Sequence, residues 1–184
     1  MEVTRHRYAV AGWGVGEIVV GDGVLLGHAL PSRRRKLSLA AEGPYGVAST
    51  PEVTLAPRPP RKGDGFVSDL CRRFAEHLAG SPVSYDDVPV DDAGLSPFQR
   101  ELLAAARSVA WGEVVTYGGL AALAGRPRAA RAAGSFCAGN RLSLVVPCHR
   151  VVAAGQGEPY GIGAYGPAGV GLKRRLLALE GTIL

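Results

Sequence analysis

One short motif in this sequence combines residue types that could do nucleophilic chemistry. Cys148, His149 and Arg150 follow Pro147 directly, after the apolar run 142–146. A cysteine attacks as its thiolate, which a nearby imidazole or guanidinium favours. The histidine can take the thiol proton directly or through one water molecule. The apolar run predicts a buried strand that ends at the cysteine, and adjacent strand side chains point apart, so we expect the water-bridged arrangement.

A bare Cys-His pair also fits a structural role. Cys148 could be a small core side chain, and His149 could cap a turn. Three cysteines leave at least one free thiol and exclude a disulfide scaffold. Cys71 falls on the apolar face of a predicted helix and is expected to be an inert core thiol. The sequence has no CxxC pair and no Cys/His cluster with zinc spacing, so we expect no metal and no cofactor.

The positive charge lies in the second half of the chain. Residues 1–95 carry 11 Lys and Arg against 12 Asp and Glu, whereas residues 96–184 carry 10 against 4. Arginine supplies 18 of the 21 cations and suits phosphate, which favours a nucleic-acid partner, although GC-rich codon usage explains the arginine content equally well. With 184 residues, 47% hydrophobic, and no long apolar run, the chain is not a membrane protein. Residues 1–9 lack the apolar core of a signal peptide, so we expect a cytoplasmic protein.

The first half of the sequence predicts a small α/β unit. Residues 17–30 form two apolar stretches around a Gly-Asp-Gly turn signal, which indicates a hairpin. Residues 33–36 are a cationic run expected in a solvated turn or strand edge. Residues 56–65, rich in proline and glycine, predict a loop, and residues 67–78 place apolar side chains at helical spacing. Residues 81–95, rich in aspartate, predict a linker.

The second half predicts helices. Ser96 and Pro97 supply an N-cap and a first helical position for a helix over residues 98–109. Thr116 caps a second helix over residues 117–124, whose apolar stripe is Leu120, Leu123 and Ala124.

The next predicted helix covers residues 128–133 and ends near Gly134. A glycine-containing turn joins it to the helix before it, which is typical of a helix-turn-helix. Its small alanines would let the backbone approach a DNA groove, and its arginines could reach phosphates or the base stack. An ordinary helical hairpin with an alanine-rich packing face is the alternative.

The motif Pro147-Cys148-His149-Arg150-Val151 resembles the PCHRV signature of the O6-alkylguanine-DNA alkyltransferases, the methylated-DNA–protein-cysteine S-methyltransferases. Further segments that look like the family's motifs occur in the right order over residues 96–181: 96–100, 116–117, 120–121, 129–132, 139–140 and 176–181. On this resemblance the chain is identified as a member of the family.

The resemblance implies two domains. Residues 1–90 would form an α/β N-terminal cap domain, ribonuclease-H-like, with an antiparallel sheet plus a helix. Residues 91–184 would form a mainly α C-terminal domain that carries the helix-turn-helix and the alkyl acceptor.

The resemblance also implies the activity. The protein would repair double-stranded DNA containing O6-alkylguanine by flipping the base and moving the alkyl group to Cys148 in a single turnover. It would act as a monomer in the minor groove, in a prokaryotic cytoplasm at the nucleoid. The alternatives are a non-catalytic sensor of alkylated DNA, a helix-turn-helix regulator and a cysteine hydrolase.

The family's catalytic roles carry over to five positions. His149 would be the water-mediated base for Cys148, and Glu180 would orient it. Tyr117 would donate its phenol to guanine N3, and Asn140 would brace the turn before the cysteine. Glu180 also stands out by itself: it ends a predicted helix with no cation three or four residues earlier, so we expect a tertiary partner.

The DNA and pocket roles come from the same resemblance. Arg131 would fill the gap left by the flipped base. The DNA-binding surface would comprise Tyr117, Arg128, Ala129, Ala130 and Arg131, and the substrate pocket Ser143, Val151, Tyr165 and Gly166. In the family, one backbone amide of this loop contacts guanine O6. Counting back from Glu180 without gaps places that amide at Pro167, which has no N–H. Aligning the loop on Tyr165 instead places it at Gly166, which we prefer.

Cys137 has no role in the family. It could pair with Cys148, eleven positions later, or fill a buried space.

Overall fold

The computed structural model describes residues 2–32, 64–155 and 160–183. The chain divides into two compact units, Met1–Asp91 with Arg141–Ser143, and Asp92–Asn140 with Leu144–Leu184. Residues 141–143, which the sequence analysis assigned to the C-terminal domain, therefore group with the first unit. The predicted cationic turn and all but the last two residues of the predicted 56–65 loop lie outside the described residues. Among the described helices, none has the length and apolarity needed to cross a bilayer.

The first unit contains a three-stranded antiparallel sheet. Its strands are β1 (Val3–Val10), β2 (Gly14–Gly21) and β3 (Val24–Ser32), paired in chain order. Between β2 and β3, Asp22 and Gly23 have φ of 49° and 80°, the left-handed conformation that a two-residue hairpin turn requires. The hairpin predicted over residues 17–30 is confirmed.

Helix α1 (Asp64–Leu78) packs on this sheet through its apolar face. Phe74 is fully buried and stacks on the ring of His28 with 4.0 Å between centroids. Trp13 donates from Nε1 to the carbonyl of Leu78 at 2.8 Å, which fixes the last turn of the helix to the sheet. The predicted helix over residues 67–78 is confirmed and begins three residues earlier.

The first part of the predicted linker belongs to the first unit. The backbone of Leu25 in β3 accepts from Asp91 at 3.1 Å and donates to the carbonyl of Pro89 at 2.9 Å. Tyr85 and Val88 are buried, so the segment contributes to the core despite its aspartates. The linker prediction is wrong for residues 81–91. It was based on the many acidic residues and did not consider the apolar side chains between them, of which Tyr85 and Val88 are buried.

His28 holds residues 141–143 against β3. Its backbone N–H donates to Arg141 at 2.7 Å, and its Nδ1 lies 2.6 Å from the carbonyl of Ser143. Because Nδ1 must donate there, Nε2 is the acceptor for the hydroxyl of Tyr8, 2.5 Å away. Burial lowers the pKa of His28 to about 4, so the ring is neutral at physiological pH and keeps this pair of hydrogen bonds.

The second unit begins with α2 (Pro97–Arg107). Ser96 accepts from the N–H of Gln99 at 3.4 Å, and its own N–H donates to Oε1 of Gln99 at 2.9 Å, which completes a capping box. The predicted start of this helix at Ser96-Pro97 is confirmed.

Helices α3 (Tyr117–Leu123) and α4 (Ala130–Ala138) follow and pack on each other. Thr116 caps α3 as predicted, accepting from the N–H of Gly119 at 3.0 Å. Leu123, predicted to face inward, is 61% exposed. Position 123 lies off the face formed by the buried residues 120, 121 and 124, so the predicted stripe is wrong at this residue.

The predicted boundaries of the next helix are also wrong. Helix α4 starts at Ala130 rather than residue 128, and it passes through Gly134 to Ala138. An interior glycine costs a helix only about 1 kcal/mol, so Gly134 does not end it. The longer helix brings Cys137 into its last turn.

A small sheet and a final helix complete the second unit. Its elements are β4 (Val115–Thr116), a 3-10 turn (Cys148–Arg150), β5 (Val151–Ala154), β6 (Tyr160–Gly161), a second 3-10 turn (Gly166–Ala168) and α5 (Gly169–Leu179). Strand β4 pairs in parallel with β5, which pairs antiparallel with β6. In the described part of this unit, the regular structure outside these short strands is helical.

Candidate active site

The residues before Cys148 form a turn, so the predicted strand over residues 142–146 is wrong. Leu144 has φ of +69°, and Cys148 opens the single 3-10 turn that leads into β5. Leu144 and Val146 are nonetheless buried at 1% and 0% exposure. An apolar run shows burial but does not by itself distinguish a strand from a buried turn.

Asn140 braces this turn. Its Nδ2 donates to the carbonyl of Val146 at 2.8 Å, and its side chain also hydrogen-bonds to Cys148. The N–H of Cys148 donates to the same carbonyl of Val146 at 2.8 Å. The amide of Asn140 therefore contacts both the backbone before the cysteine and the thiol itself.

Cys148 shares a sulfur hydrogen bond with Cys137. Cys148 is 3% exposed, whereas Cys137 is only half-buried. The bond from Cys137, and burial after it, raise the pKa of Cys148 well above that of an ordinary thiol, and the bond from Cys148 lowers the pKa of Cys137. One proton thus leaves the pair readily and the second with difficulty, and Cys148 rests as a thiol.

Lys173 places a cation near both sulfurs. It is fully buried in α5, donates from Nζ to the carbonyls of Val151 at 2.5 Å and Ala164 at 3.2 Å, and lies 5.8 Å from the ring centre of Tyr117. Burial lowers the pKa of Lys173 to about 8, so it remains cationic at neutral pH. Its charge favours thiolate at Cys137 and at Cys148.

The sequence interpretation missed Lys173, although a signal exists. Residues 173, 176 and 177 share one face of α5, and Leu176 and Leu177 are buried there. A lysine on such an apolar face must find hydrogen-bond acceptors inside the protein, which makes it a candidate site residue.

Glu180 caps the C-terminal end of α5 and binds two residues of the 3-10 turn. Its Oε1 lies 2.9 Å from Nε2 of His149, and its two oxygens accept from Nη2 and Nε of Arg150 at 2.9 Å each. All three residues are at most 7% exposed. The tertiary partner predicted for Glu180 is therefore confirmed, and there are two of them.

This arrangement fixes the tautomer of His149. A carboxylate only accepts hydrogen bonds, so Nε2 carries the proton and Nδ1 is the basic nitrogen. Arg150 completes its own bonding by donating from Nη1 to the carbonyl of Val109 at 2.6 Å. The sequence interpretation gave Arg150 a role beside the thiol, but its guanidinium binds Glu180, thirty residues away.

Tyr117 opens α3 and is half-buried in the same unit. Its hydroxyl donates to the carbonyl of Ala164 at 3.3 Å, and burial raises its pKa, so the phenol keeps its proton at neutral pH. Gly163, at φ of +68°, lies so close that a Cβ there would come within 3.1 Å of the Tyr117 hydroxyl oxygen. Both sulfurs of the thiol pair are near enough to Tyr117 to affect its pKa.

The remaining predicted residues lie in three places. Arg131 and Arg128 are exposed at the start of α4, with Ala129 and Ala130 half-buried beside them. Tyr165 is half-buried, and Gly166, at φ of +44°, opens the second 3-10 turn. Val151 is buried at the start of β5, whereas Ser143 belongs to the other unit, where its carbonyl accepts from His28.

Comparison with known proteins assigns this site to a family. The family model described as 6-O-methylguanine DNA methyltransferase, DNA binding domain, matches residues 97–182. A methylated-DNA–protein-cysteine methyltransferase from Methanopyrus kandleri is 40% identical over 134 residues, which are 72% of this chain and 95% of that protein. One from Salmonella typhimurium is 41% identical over 115 residues, 62% of this chain and 64% of that protein.

The fold agrees with the sequence matches. The crystal structure of Mycobacterium tuberculosis OGT in complex with DNA is similar with a TM-score of 0.69 and 25% identity, over 96% of this chain and 92% of that one. The chain belongs to the O6-methylguanine DNA methyltransferase family. Its reaction is that of the methylated-DNA–protein-cysteine methyltransferases, the direct repair of O6-alkylguanine in DNA.

Replacement of Arg150 by Ala is expected to destabilise the protein by about 3–5 kcal/mol, because it leaves the buried carboxylate of Glu180 without its cation. Denaturant unfolding followed by circular dichroism measures the change. The control is Arg100→Ala, which breaks an ion pair with Asp92 whose side chains are 47% and 52% exposed, and it should cost less than about 1 kcal/mol. Equal effects of the two changes would show that the buried pair is unimportant for stability.

Proposed function

We propose that Cys148 is the sulfur that accepts the alkyl group and that each molecule acts once. The observation that carries the proposal is the buried contact between His149 and Glu180, 2.9 Å long, in the turn that Cys148 opens. The sulfur attacks the carbon bound to guanine O6, a carbon–sulfur bond forms, and the carbon–oxygen bond breaks. The product is a thioether, and the site offers no step that would cleave it.

His149 would take the proton of the thiol. Cys148 rests protonated, so its proton must leave as the sulfur attacks. With Nε2 bound to Glu180, Nδ1 is the nitrogen that can accept this proton through a water molecule. The carboxylate then stabilises the imidazolium that forms, and Arg150 keeps the carboxylate in place.

Tyr117 and the pocket residues would bind the guanine. The phenol of Tyr117 would donate to N3 and stabilise the guanine anion as it leaves, which requires the neutral hydroxyl that its raised pKa provides. The carbonyls of Cys148 and Val151 would accept from the guanine amino group. The Val151 carbonyl already accepts from Lys173, and a carbonyl oxygen can accept two hydrogen bonds.

The other pocket contacts follow the resemblance. Tyr165 would form a wall of the pocket, and the N–H of Gly166 would contact O6. For Ser143, a pocket role remains a prediction from the resemblance.

Helices α3 and α4 would act as the helix-turn-helix that enters the minor groove. Ala129 and Ala130 allow a close approach, and the exposed Arg131 and Arg128 supply positive charge at the start of α4. Arg131 would occupy the space that the flipped guanine leaves. Extrusion of a base costs a few kcal/mol, which an inserted side chain partly offsets. The similarity to a structure in complex with DNA supports this surface.

Incubation with a duplex containing O6-methylguanine should add one methyl group, in place of a hydrogen, to the peptide that contains Cys148. Peptide mass spectrometry locates the group, and the reaction should stop at one equivalent because the thioether is not cleaved. Cys148→Ala should bind the duplex without transfer, and Cys71→Ala should react like the unaltered protein. Continued turnover, or methylation of another residue, would exclude the proposal.

Replacement of Arg131 by Ala should slow transfer from duplex DNA by about 10-fold or more, the equivalent of about 1.4 kcal/mol, because the flipped state loses its inserted side chain. Single-turnover kinetics measure the rate, with free O6-benzylguanine as the substrate that needs no flipping. Its rate should be unchanged. Arg72→Ala, an exposed change on α1, is the control. The same slowing with both substrates would rule out a role in base flipping.

A further inference from the structure

The second thiol, Cys137, has no part in the reaction proposed above. It lies in the last turn of α4, half-buried, and hydrogen-bonds through sulfur to the fully enclosed Cys148. Its backbone is tied to the same turn, because Asn140 donates from its N–H to the Cys137 carbonyl at 3.3 Å and from Nδ2 to Val146 at 2.8 Å. The sulfur hydrogen bond therefore joins the last turn of α4 to the turn that Cys148 opens, and Asn140 is hydrogen-bonded to both segments.

We propose that Cys137 and Cys148 form a redox modification site, which a peroxide closes reversibly into a disulfide. The proposal rests on the assignment of Cys148 as alkyl acceptor for its functional consequence, although not for the bond itself. A disulfide needs the sulfurs to come to about 2.0 Å. The hydrogen bond between the two side chains already brings their sulfurs into contact, so the disulfide requires only a short further approach.

The local charge favours oxidation of Cys137 first. Its thiolate would accept from the S–H of Cys148 and interact with the cation of Lys173. It is also more exposed than Cys148, which has 3% of its surface accessible. Thiolate character and access are the two properties that decide which cysteine an oxidant attacks.

One molecule of hydrogen peroxide is sufficient to oxidise the two thiols to the disulfide. The Cys137 thiolate attacks one peroxide oxygen, the O–O bond breaks, and hydroxide leaves and is protonated to water, which gives a sulfenic acid. The sulfur of Cys148 then attacks the sulfur of Cys137, the S–O bond breaks, and the departing hydroxide takes the thiol proton to form a second water. Two thiols lose two electrons to one peroxide.

The disulfide would suspend repair and protect the acceptor. While the disulfide is present, the sulfur of Cys148 carries no proton, cannot become a thiolate and cannot attack an alkyl carbon. It is equally unable to proceed to the sulfinic and sulfonic acids, which thiol reductants do not reverse. Cys71 is an internal comparison, because burial raises its pKa to about 11 and no thiol partner is recorded beside it among the described residues.

The test is oxidation of the full-length reduced protein with hydrogen peroxide. Its mass should fall by two hydrogens, and peptide mapping should yield one cross-linked pair containing Cys137 and Cys148. Transfer from a methylated duplex should fall by at least about tenfold and return when a dithiol reductant opens the bond.

Variants separate the pair from general oxidation. The variants Cys137→Ser and Cys137→Ala cannot form the cross-link. In each, peroxide should cause a loss of transfer activity, relative to the same variant before oxidation, that the reductant does not restore. Peptide mapping should then find sulfinic acid at Cys148. Cys71→Ala should behave as the unaltered protein. These variants serve as controls, since the cross-link itself is measured on the unaltered chain.

Two results would overturn the thiol pair: no Cys137–Cys148 cross-link at peroxide doses that oxidise Cys148, or recovery of the Cys137 variants equal to that of the unaltered chain. A protein that forms the cross-link and still transfers the alkyl group would support the pair and overturn Cys148 as the acceptor. The two proposals therefore fail in different ways.

Discussion

The site depends on one buried carboxylate. Glu180 lies at the C-terminal end of α5, where the helix dipole disfavours negative charge, and almost no solvent reaches it. Its charge is tolerated because Arg150 donates to both of its oxygens. The same carboxylate binds Nε2 of His149 and so decides which nitrogen of the ring is basic. The ion pair thus costs desolvation energy but determines the orientation and tautomer of the base.

The electrostatics around the sulfur complement this arrangement. Cys148 is enclosed, and Cys137 opposes its ionisation, so a standing thiolate is not the resting form. Lys173 counteracts this, since its cation stabilises negative charge on either sulfur and so lowers the pKa of both thiols. A thiol that ionises only when a base removes its proton resists stray electrophiles. Under the proposed function, reactivity would follow from the presence of guanine beside Tyr117 and His149, rather than from a permanently activated sulfur.

Local signals made part of this structure predictable. The Asp22-Gly23 turn and the Ser96 N-cap depend on neighbouring residues, and the sequence predicted both. Residues 142–146 were predicted wrongly. The apolar side chain of Leu144 indicates its burial, but its left-handed backbone belongs to a turn that Asn140 holds through the carbonyl of Val146.

Contacts between distant residues were the hardest to predict. Glu180 visibly needed a partner, but nothing in the spacing identified Arg150. The position of Cys137 depends on α4 continuing past Gly134, which the sequence interpretation took as its end. The most direct test of the central claim is the single-turnover rate of Cys148 methylation in Glu180→Gln, which keeps the shape of the side chain and removes its charge. The rate should fall by about 10²–10⁴-fold with DNA affinity unchanged, because the base loses its stabilising carboxylate. A rate equal to that of the unaltered protein would contradict the account.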